Sequence, residues 1–306
     1  MWSALDFCWR GVTYLYVAPP HLLDHLPKPN SSAMYSKLIA ASSPGLFIIL
    51  VDQSGSMDGS YGDTNKAQFA ALAVNRTIYE IIASCRKGEK VSDRCYIAVI
   101  GYGTTTRAIV GGRPSELEQP THGTIPLIKK VPDGAGGLVE IEWEMGVWLK
   151  AESGGTTPMA AAFQVAGQLI EKWTTENSDT FPPIVINISD GAPDDASATK
   201  EAAQKVASLG TSDGNVLIYN CHIGTGTSEI RLPTNSNELP DANAKMLFDI
   251  SSVIPAQLVQ QARNAGLNPM EGSRGLMINA SPESLIKLMV FGSGSIKALP
   301  SSSREQ

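Results

Sequence analysis

Asp52, Ser54 and Ser56 stand at alternate positions in the run Phe47–Met57, FIILVDQSGSM. Alternate residues of an extended segment point the same way, so one carboxylate and two hydroxyls would converge there. Oxygen ligands of that kind suit a hard cation such as Mg²⁺, which keeps several waters and is held by few carboxylates. Two more polar groups could complete such a site. Thr156 and Thr157 follow Gly154-Gly155 and precede Pro158, and Asp190 follows an apolar run and precedes Gly191. Each group alone reads as a turn former. Together they offer two carboxylates and three hydroxyls, which leaves part of an octahedral shell open.

The elements around these residues read as alternating strands and helices. Phe47–Val51 is short, continuous and apolar, bounded by Pro44-Gly45 and Gly55, as expected of a parallel strand covered on both faces. A helix follows, capped by Thr64 or Asn65, with Val74, Ile78, Ile81, Ile82 and Cys85 on one face. Cys95–Ile100 is a second buried strand, and Arg107–Val110 pairs back as an edge. A helix opens at Thr157-Pro158, with Thr157 as its cap and Pro158 at its first position. Ile184–Ile188 is a third buried strand, ending in Ser189-Asp190-Gly191, and Asp194 or Asp195 caps the next helix. Val216–Ile223 is another strand, followed by a long polar segment, Gly224–Ala244. Ala256–Ala265 reads as a helix, Gly275–Ile278 as a strand and Pro282–Phe291 as a last helix. The expected fold is α/β: a doubly wound, Rossmann-like, mostly parallel sheet with helices on both faces and an antiparallel edge strand. In such sheets ligands bind outside the carboxyl ends of the strands, where the three polar clusters fall.

The order and spacing of these clusters resemble the metal-ion-dependent adhesion site (MIDAS) of von Willebrand factor A (VWA) domains. That pattern is D-x-S-x-S, then a threonine after G-x, then an aspartate in an S/T-D-G turn. Here it reads Asp52-Gln53-Ser54-Gly55-Ser56, Gly155-Thr156-Thr157 and Ser189-Asp190-Gly191. The stretch ISDGAPDD at 188–195 is similar to bacterial VWA proteins of the tellurium-resistance type. The resemblance covers about residues 44–292. It implies a bound Mg²⁺ or Mn²⁺ and a metal-dependent protein-binding module rather than an enzyme. The metal ligands would be Asp52, Ser54, Ser56, Thr157 and Asp190, with Thr157 favoured over Thr156 because it stands before Pro-Met. The partner would offer an Asp or Glu to the ion. The bacterial relatives often sit beside protein kinases and phosphatases, which implies a signalling or stress-response setting.

Outside this core the chain departs from a minimal domain. Residues 113–153 carry Pro114, Pro120, Pro126 and Pro132, which break helices. Leu138–Glu144 alternates Val139, Ile141 and Trp143 with Glu140, Glu142 and Glu144. It reads as the second arm of a β-hairpin whose first arm is Ile125–Val131, with a turn at 134–137. Residues 1–43 form an N-terminal extension in which Phe7–Val17 reads as a strand or packing arm, His21–Asn30 as linker and Met34–Ala41 as a short helix. A start at Met34 is an open alternative. The Ser-rich tail, 293–306, reads as disordered.

The 306 residues are 42% apolar and 18% charged, with a net charge of −6, as in a globular protein. That acidity argues against a nucleic-acid or anionic-membrane partner, and no apolar run is long enough to span a bilayer. The N-terminus lacks a basic region and a small-residue cleavage site. Cys8, Cys85, Cys95 and Cys221 are scattered, as free thiols in a reducing compartment would be. A cytoplasmic setting is expected.

Two enzymatic alternatives compete. Asp52, His122 and a threonine of Gly155-Thr156-Thr157-Pro158-Met159 occur in the order of a subtilisin-like hydrolase, which would leave Ser54, Ser56 and Asp190 unused. A Mg²⁺-dependent phosphatase would use Asp52 as nucleophile, but it wants a second acid where Ser54 stands. His222 is expected to be structural or to line the rim of the site.

Overall fold

A computed structural model describes residues 4–9, 12–17, 34–132, 137–224 and 228–297. The chain divides into two compact units, Met1–Met34 and Tyr35–Gln306. The first holds a hairpin in which β1 (Ala4–Trp9) pairs antiparallel with β2 (Val12–Val17). The segment His21–Asn30, read as linker, lies outside the described residues.

The second unit begins at Tyr35. The short helix predicted over Met34–Ala41 does not form. Tyr35 takes a positive φ of 58° and donates its N–H to Asp213 O at 2.7 Å. The N–H groups of Ser36 and Lys37 donate to the Asp213 carboxylate at 3.1 and 3.0 Å. The left-handed φ of Tyr35 is not helical, and three successive backbone donors, at 35, 36 and 37, are held by one distant aspartate.

Strand β3 is Gly45–Asp52, and every residue of it is buried. Its side chains alternate between two cores. Phe47, Ile49 and Val51 face one side, Leu46, Ile48 and Leu50 the other. Burial of each such side chain contributes roughly 1.5–3 kcal/mol, so a strand apolar on both faces belongs in the middle of the sheet. Helix α1 (Lys66–Cys85) follows, capped by the Asn65 side chain, which accepts from Gln68 N. Then come β4 (Cys95–Tyr102) and β5 (Thr106–Gly112), the latter antiparallel as expected.

The predicted hairpin forms from β6 (Thr124–Pro132) and β7 (Leu138–Gly146), in a nine-pair register from Thr124↔Gly146 to Pro132↔Leu138. Except for Gly137, its predicted turn at 134–137 lies outside the described residues. Trp143 packs on Tyr79 of α1 with ring centroids 4.7 Å apart. The chain that leaves the hairpin is clamped by Asn75 of α1. Its Oδ1 accepts from the N–H groups of Trp148 and Leu149 at 2.9 Å each, and its Nδ2 donates to Leu149 O at 2.8 Å.

Helix α2 (Met159–Glu176), β8 (Ile184–Ser189), α3 (Ala196–Ser208) and β9 (Leu217–Ile223) continue the alternation. The polar segment at 224–244 contains a short edge strand, β10 (Ile230–Arg231), and leads into an unforeseen helix, α4 (Ala242–Ile250), capped by Asp241. Helix α5 (Val259–Asn264), β11 (Leu276–Ala280) and α6 (Pro282–Lys297) complete the unit.

The seven-stranded sheet has the order β10-β11-β9-β8-β3-β4-β5. Its five inner strands are parallel and both edge strands antiparallel. Helices α1, α5 and α6 contribute to one core, and α2, α3 and α4 to the other. This is the doubly wound, Rossmann-like α/β fold the sequence predicted, with one more antiparallel edge.

Two details matter later. Helix α6 runs to Lys297, past the expected end at Phe291, so residues 293–297 of the predicted tail are helical; 298–306 lie outside the described residues. Gly292 lets the helix continue against the sheet, because a Cβ there would sit 2.3 Å from Ile186 Cδ1. Buried Ser293 satisfies its hydroxyl on Met289 O at 2.8 Å. In the other core, Asn187 of β8 and Asn220 of β9 are register partners joined side chain to side chain at 3.0 Å. Asn220 donates on to Ser251 Oγ at 2.9 Å, and Tyr102 donates to Asn187 Oδ1 at 2.8 Å.

Candidate metal centre

From β3 the chain leads to β4 on one side of the sheet and, through α2, to β8 on the other. The switch between these directions lies between β3 and β8, where open α/β sheets bind ligands. Asp52 is the last residue of β3, and Asp190 directly follows β8.

Asp52 is fully buried. Its Oδ1 accepts from Ser54 N at 2.9 Å, which folds the loop back over the strand end, and its Oδ2 accepts from Ser189 Oγ at 3.0 Å. The Ser54 and Ser56 hydroxyl oxygens are 3.1 Å apart, and Ser56 Oγ donates to Asp190 Oδ1 at 2.7 Å. Four of the five predicted residues are thus linked through Ser54, Ser56 and the two carboxylates at adjacent strand ends. Burial pushes the Asp52 carboxyl above its ordinary range; the charge of Asp190 adds to this, and hydrogen bonds from Ser54 and Ser189 partly offset it.

The segment bearing the fifth residue is tied to the same loop. Gly55 N donates to Gly155 O at 3.2 Å, and Gly154 N donates to Gln53 O at 2.8 Å. Gly155 has a φ of 76°, and a Cβ on it would lie 2.5 Å from Thr104 N, so only glycine permits this approach. Thr157 is buried, and its N–H donates to Asp194 Oδ1 at 2.8 Å. Thr156 is exposed and spends its hydroxyl on Asp194 Oδ2 at 2.6 Å. Among the described residues no hydrogen bond joins the Thr157 hydroxyl to the other four.

Thr157 does not cap α2. The helix starts at Met159 with Pro158 as its N-cap residue, one position later than expected. The Thr157 backbone is held instead by Asp194, which leaves its side chain outside the helix. Of the two candidate aspartates, Asp195 caps α3 by accepting from Ala198 N.

Three contributors were not singled out from sequence. Ser189 orients Asp52, and Asp194 clasps both threonines. Lys66 places Nζ 2.7 Å from Asp190 Oδ2, with its side chain 13% exposed and that of Asp190 0%. Only the lysine had a visible signal, since a cation in the first turn opposes the helix dipole.

The donor set suits a hard cation. Oxygens about 2.1 Å from an octahedral Mg²⁺ lie about 3 Å apart along each edge, and the separations of 3.1 and 2.7 Å bracket that value. Among the described residues no group of three or more His, Cys, Asp or Glu side chains could hold a metal.

The hydrolase residues are not brought together in this way. His122 is exposed at the base of the hairpin, its N–H donating to Val147 O at 2.8 Å. Among the described residues no hydrogen bond joins it to Asp52, Thr156 or Thr157. His222 lies beside Ser189 in register, and its Nδ1 accepts from Asn279 N at 3.4 Å. Burial holds its imidazole below the ordinary range, in keeping with a neutral structural role. Cys85, Cys95 and Cys221 are buried free thiols. Among the described residues no helix is long and apolar enough to cross a membrane.

No family model matches the chain, and no curated protein does. Solved structures with which it aligns include the ArnB paralog VWA2 from Sulfolobus acidocaldarius, at 18% identity over 60% of this chain and 35% of that one, with a TM-score of 0.32. Manganese-loaded TRAP protein from Plasmodium vivax aligns at 16% identity over 71% and 66%, with a TM-score of 0.34. The vWF domain of the type V pili tip protein Mfa5 from Porphyromonas gingivalis aligns at 12% identity over 49% and 39%, with a TM-score of 0.31. The chain spans less than two thirds of each of these proteins.

Proposed function

We propose that this chain is a VWA-type module that binds a protein partner through a Mg²⁺ or Mn²⁺ ion. The observation that carries the reading is the run of oxygens Ser54, Ser56 and Asp190, spaced at 3.1 and 2.7 Å across two adjacent strand ends. Ser54, Ser56 and Thr157 would hold the ion directly, and Asp52 and Asp190 directly or through water. A bound ion would supply a Lewis-acidic open position that a partner's Asp or Glu carboxylate can fill. The protein's own part is to hold the oxygens in place: Ser189 and the Ser54 N–H fix Asp52, and Asp194 fixes the threonine segment. The two buried carboxylates repel one another, and a divalent ion between them would relieve that repulsion.

The role is binding rather than catalysis. A subtilisin-like hydrolase would need a histidine base on the nucleophile hydroxyl, and among the described residues no hydrogen bond joins His122 to Asp52, Thr156 or Thr157. The similarity of ISDGAPDD to the tellurium-resistance type makes a bacterial, cytoplasmic signalling or stress-response complex the setting we propose, with a kinase or phosphatase system as the source of the partner. The test is affinity capture with the full chain as bait, in Mg²⁺ against EDTA, with Asp52→Ala in parallel. Partners retained in Mg²⁺ and lost in both controls support the reading, provided the variant keeps its circular dichroism spectrum. Partners that survive both controls overturn it.

A further inference from the structure

Lys66 is the first residue of the 20-residue helix α1, and no acidic residue shares its first turn. A positive charge at that end meets the unfavourable pole of the helix. Its side chain is nevertheless drawn inward, only 13% exposed, onto a carboxylate that is fully enclosed. The position is built. Lys66 N donates to Gly59 O at 3.0 Å, and the end of the stem lies over Gly59, with Cε and Nζ 3.6 Å from where a Cβ would be. Asp190 is thereby engaged on both oxygens, Oδ1 by Ser56 and Oδ2 by the ammonium. Asp52 and Asp190 carry two negative charges, and Lys66 cancels one of them.

We propose that Lys66 is a tethered counter-cation that competes with the divalent ion for Asp190. This rests on the metal-site reading above. With no ion bound, the ammonium neutralises a buried carboxylate that would otherwise face Asp52 unpaired, so the empty site stays folded. An ion that takes Asp190 must displace the ammonium or share the carboxylate with it, and the attraction of the remaining charges is weaker by one. Lys66 therefore sets the threshold concentration of divalent ion at which the site fills. It is a positioning and affinity-setting residue, not a ligand.

Competition and plain structural support give opposite signs on one variant. Lys66→Met keeps the stem and removes the charge. Competition predicts a lower melting temperature in EDTA together with Mn²⁺ binding about tenfold tighter by calorimetry, because a positive charge beside the ion is removed. Lys66→Arg, whose guanidinium grips a carboxylate bidentately, should bind Mn²⁺ no tighter than the wild type. It carries the test if Lys66→Met does not fold. Equal or weaker Mn²⁺ binding by Lys66→Met, or tighter binding by Lys66→Arg, overturns the competition and leaves the metal site standing. Binding by Lys66→Met where the wild type shows none supports it in its strongest form. No Mn²⁺ binding by either protein at millimolar concentration overturns the site and the inference together.

Discussion

The Ser56 hydroxyl donates to Asp190 Oδ1 at 2.7 Å across 134 residues of sequence. This bond joins the loop after β3 to the turn after β8, and an ion placed there would strengthen the same junction. A ligand that binds only the folded state at a hundred times its dissociation constant stabilises by about 2.7 kcal/mol. In a domain of this size that raises the melting temperature by several degrees. Mg²⁺ should produce such a shift in the wild type, and EDTA should remove it. Ser56→Ala and Asp190→Ala should show little or none of it in differential scanning fluorimetry.

The frame of this junction was legible in the sequence, and its supports were not. Phe47–Val51 announces a central strand because it is apolar on both faces; Asp52, Ser54 and Ser56 converge not through the extended loop their alternate spacing suggests but through a 3-10 turn over Gly55–Asp58. Ser189 and Asp194 act on residues 137 and 38 positions away. Nothing local distinguishes them from a strand-end serine and a helix cap. Met34–Ala41 reads as helical, but Tyr35 takes a left-handed φ and the distant Asp213 holds the segment in another conformation. Helix α4 escaped notice because its nine residues begin inside the polar segment and are too few for a clear period.

Adjacent aspartates should separate site from scaffold. Asp194→Ala frees Thr156 and Thr157, and about tenfold weaker Mn²⁺ binding is expected with little loss of stability. Asp195→Ala removes the cap of α3 and should cost about 1 kcal/mol in urea unfolding, leaving Mn²⁺ affinity unchanged. Calorimetry and chemical denaturation on both variants check the crossover.

Asp52 supplies a pH dependence. Burial raises its pKa in the folded protein above the unfolded value. Between those two values the folded state holds more protons, so in EDTA stability should fall as pH rises through that window, above the ordinary carboxylate range. Asp52→Asn removes this titration. In EDTA its stability should lose that component of the decline and equal or exceed wild type at neutral pH, and its Mg²⁺ response should vanish. Urea midpoints across the acidic range measure both effects.

Gly292 reverses a familiar rule. Glycine to alanine inside a helix ordinarily stabilises by up to about 1 kcal/mol. Here the new methyl would lie 2.3 Å from Ile186 Cδ1 and 3.6 Å from Phe47 Cε2, both on central strands. Gly292→Ala should therefore destabilise, by roughly 1–3 kcal/mol, as read from urea unfolding. A stabilised variant would mean that the Ile186 Cδ1 methyl turns aside to admit the new one.

The amide pair Asn187–Asn220 bears on where the site forms at all. Strands apolar on both faces are nearly indifferent to sliding, because each shifted register still buries hydrocarbon. A parallel neighbour displaced by one step moves about 3.3 Å, enough to carry Asp190 away from Ser56. Asn187 and Asn220 remove that indifference. Their side chains meet in this alignment, and a slip of β8 along β9 would break that buried bond. Two residues outside the candidate ligand set thus act as a ruler for β8, fixing its end beside Asp52.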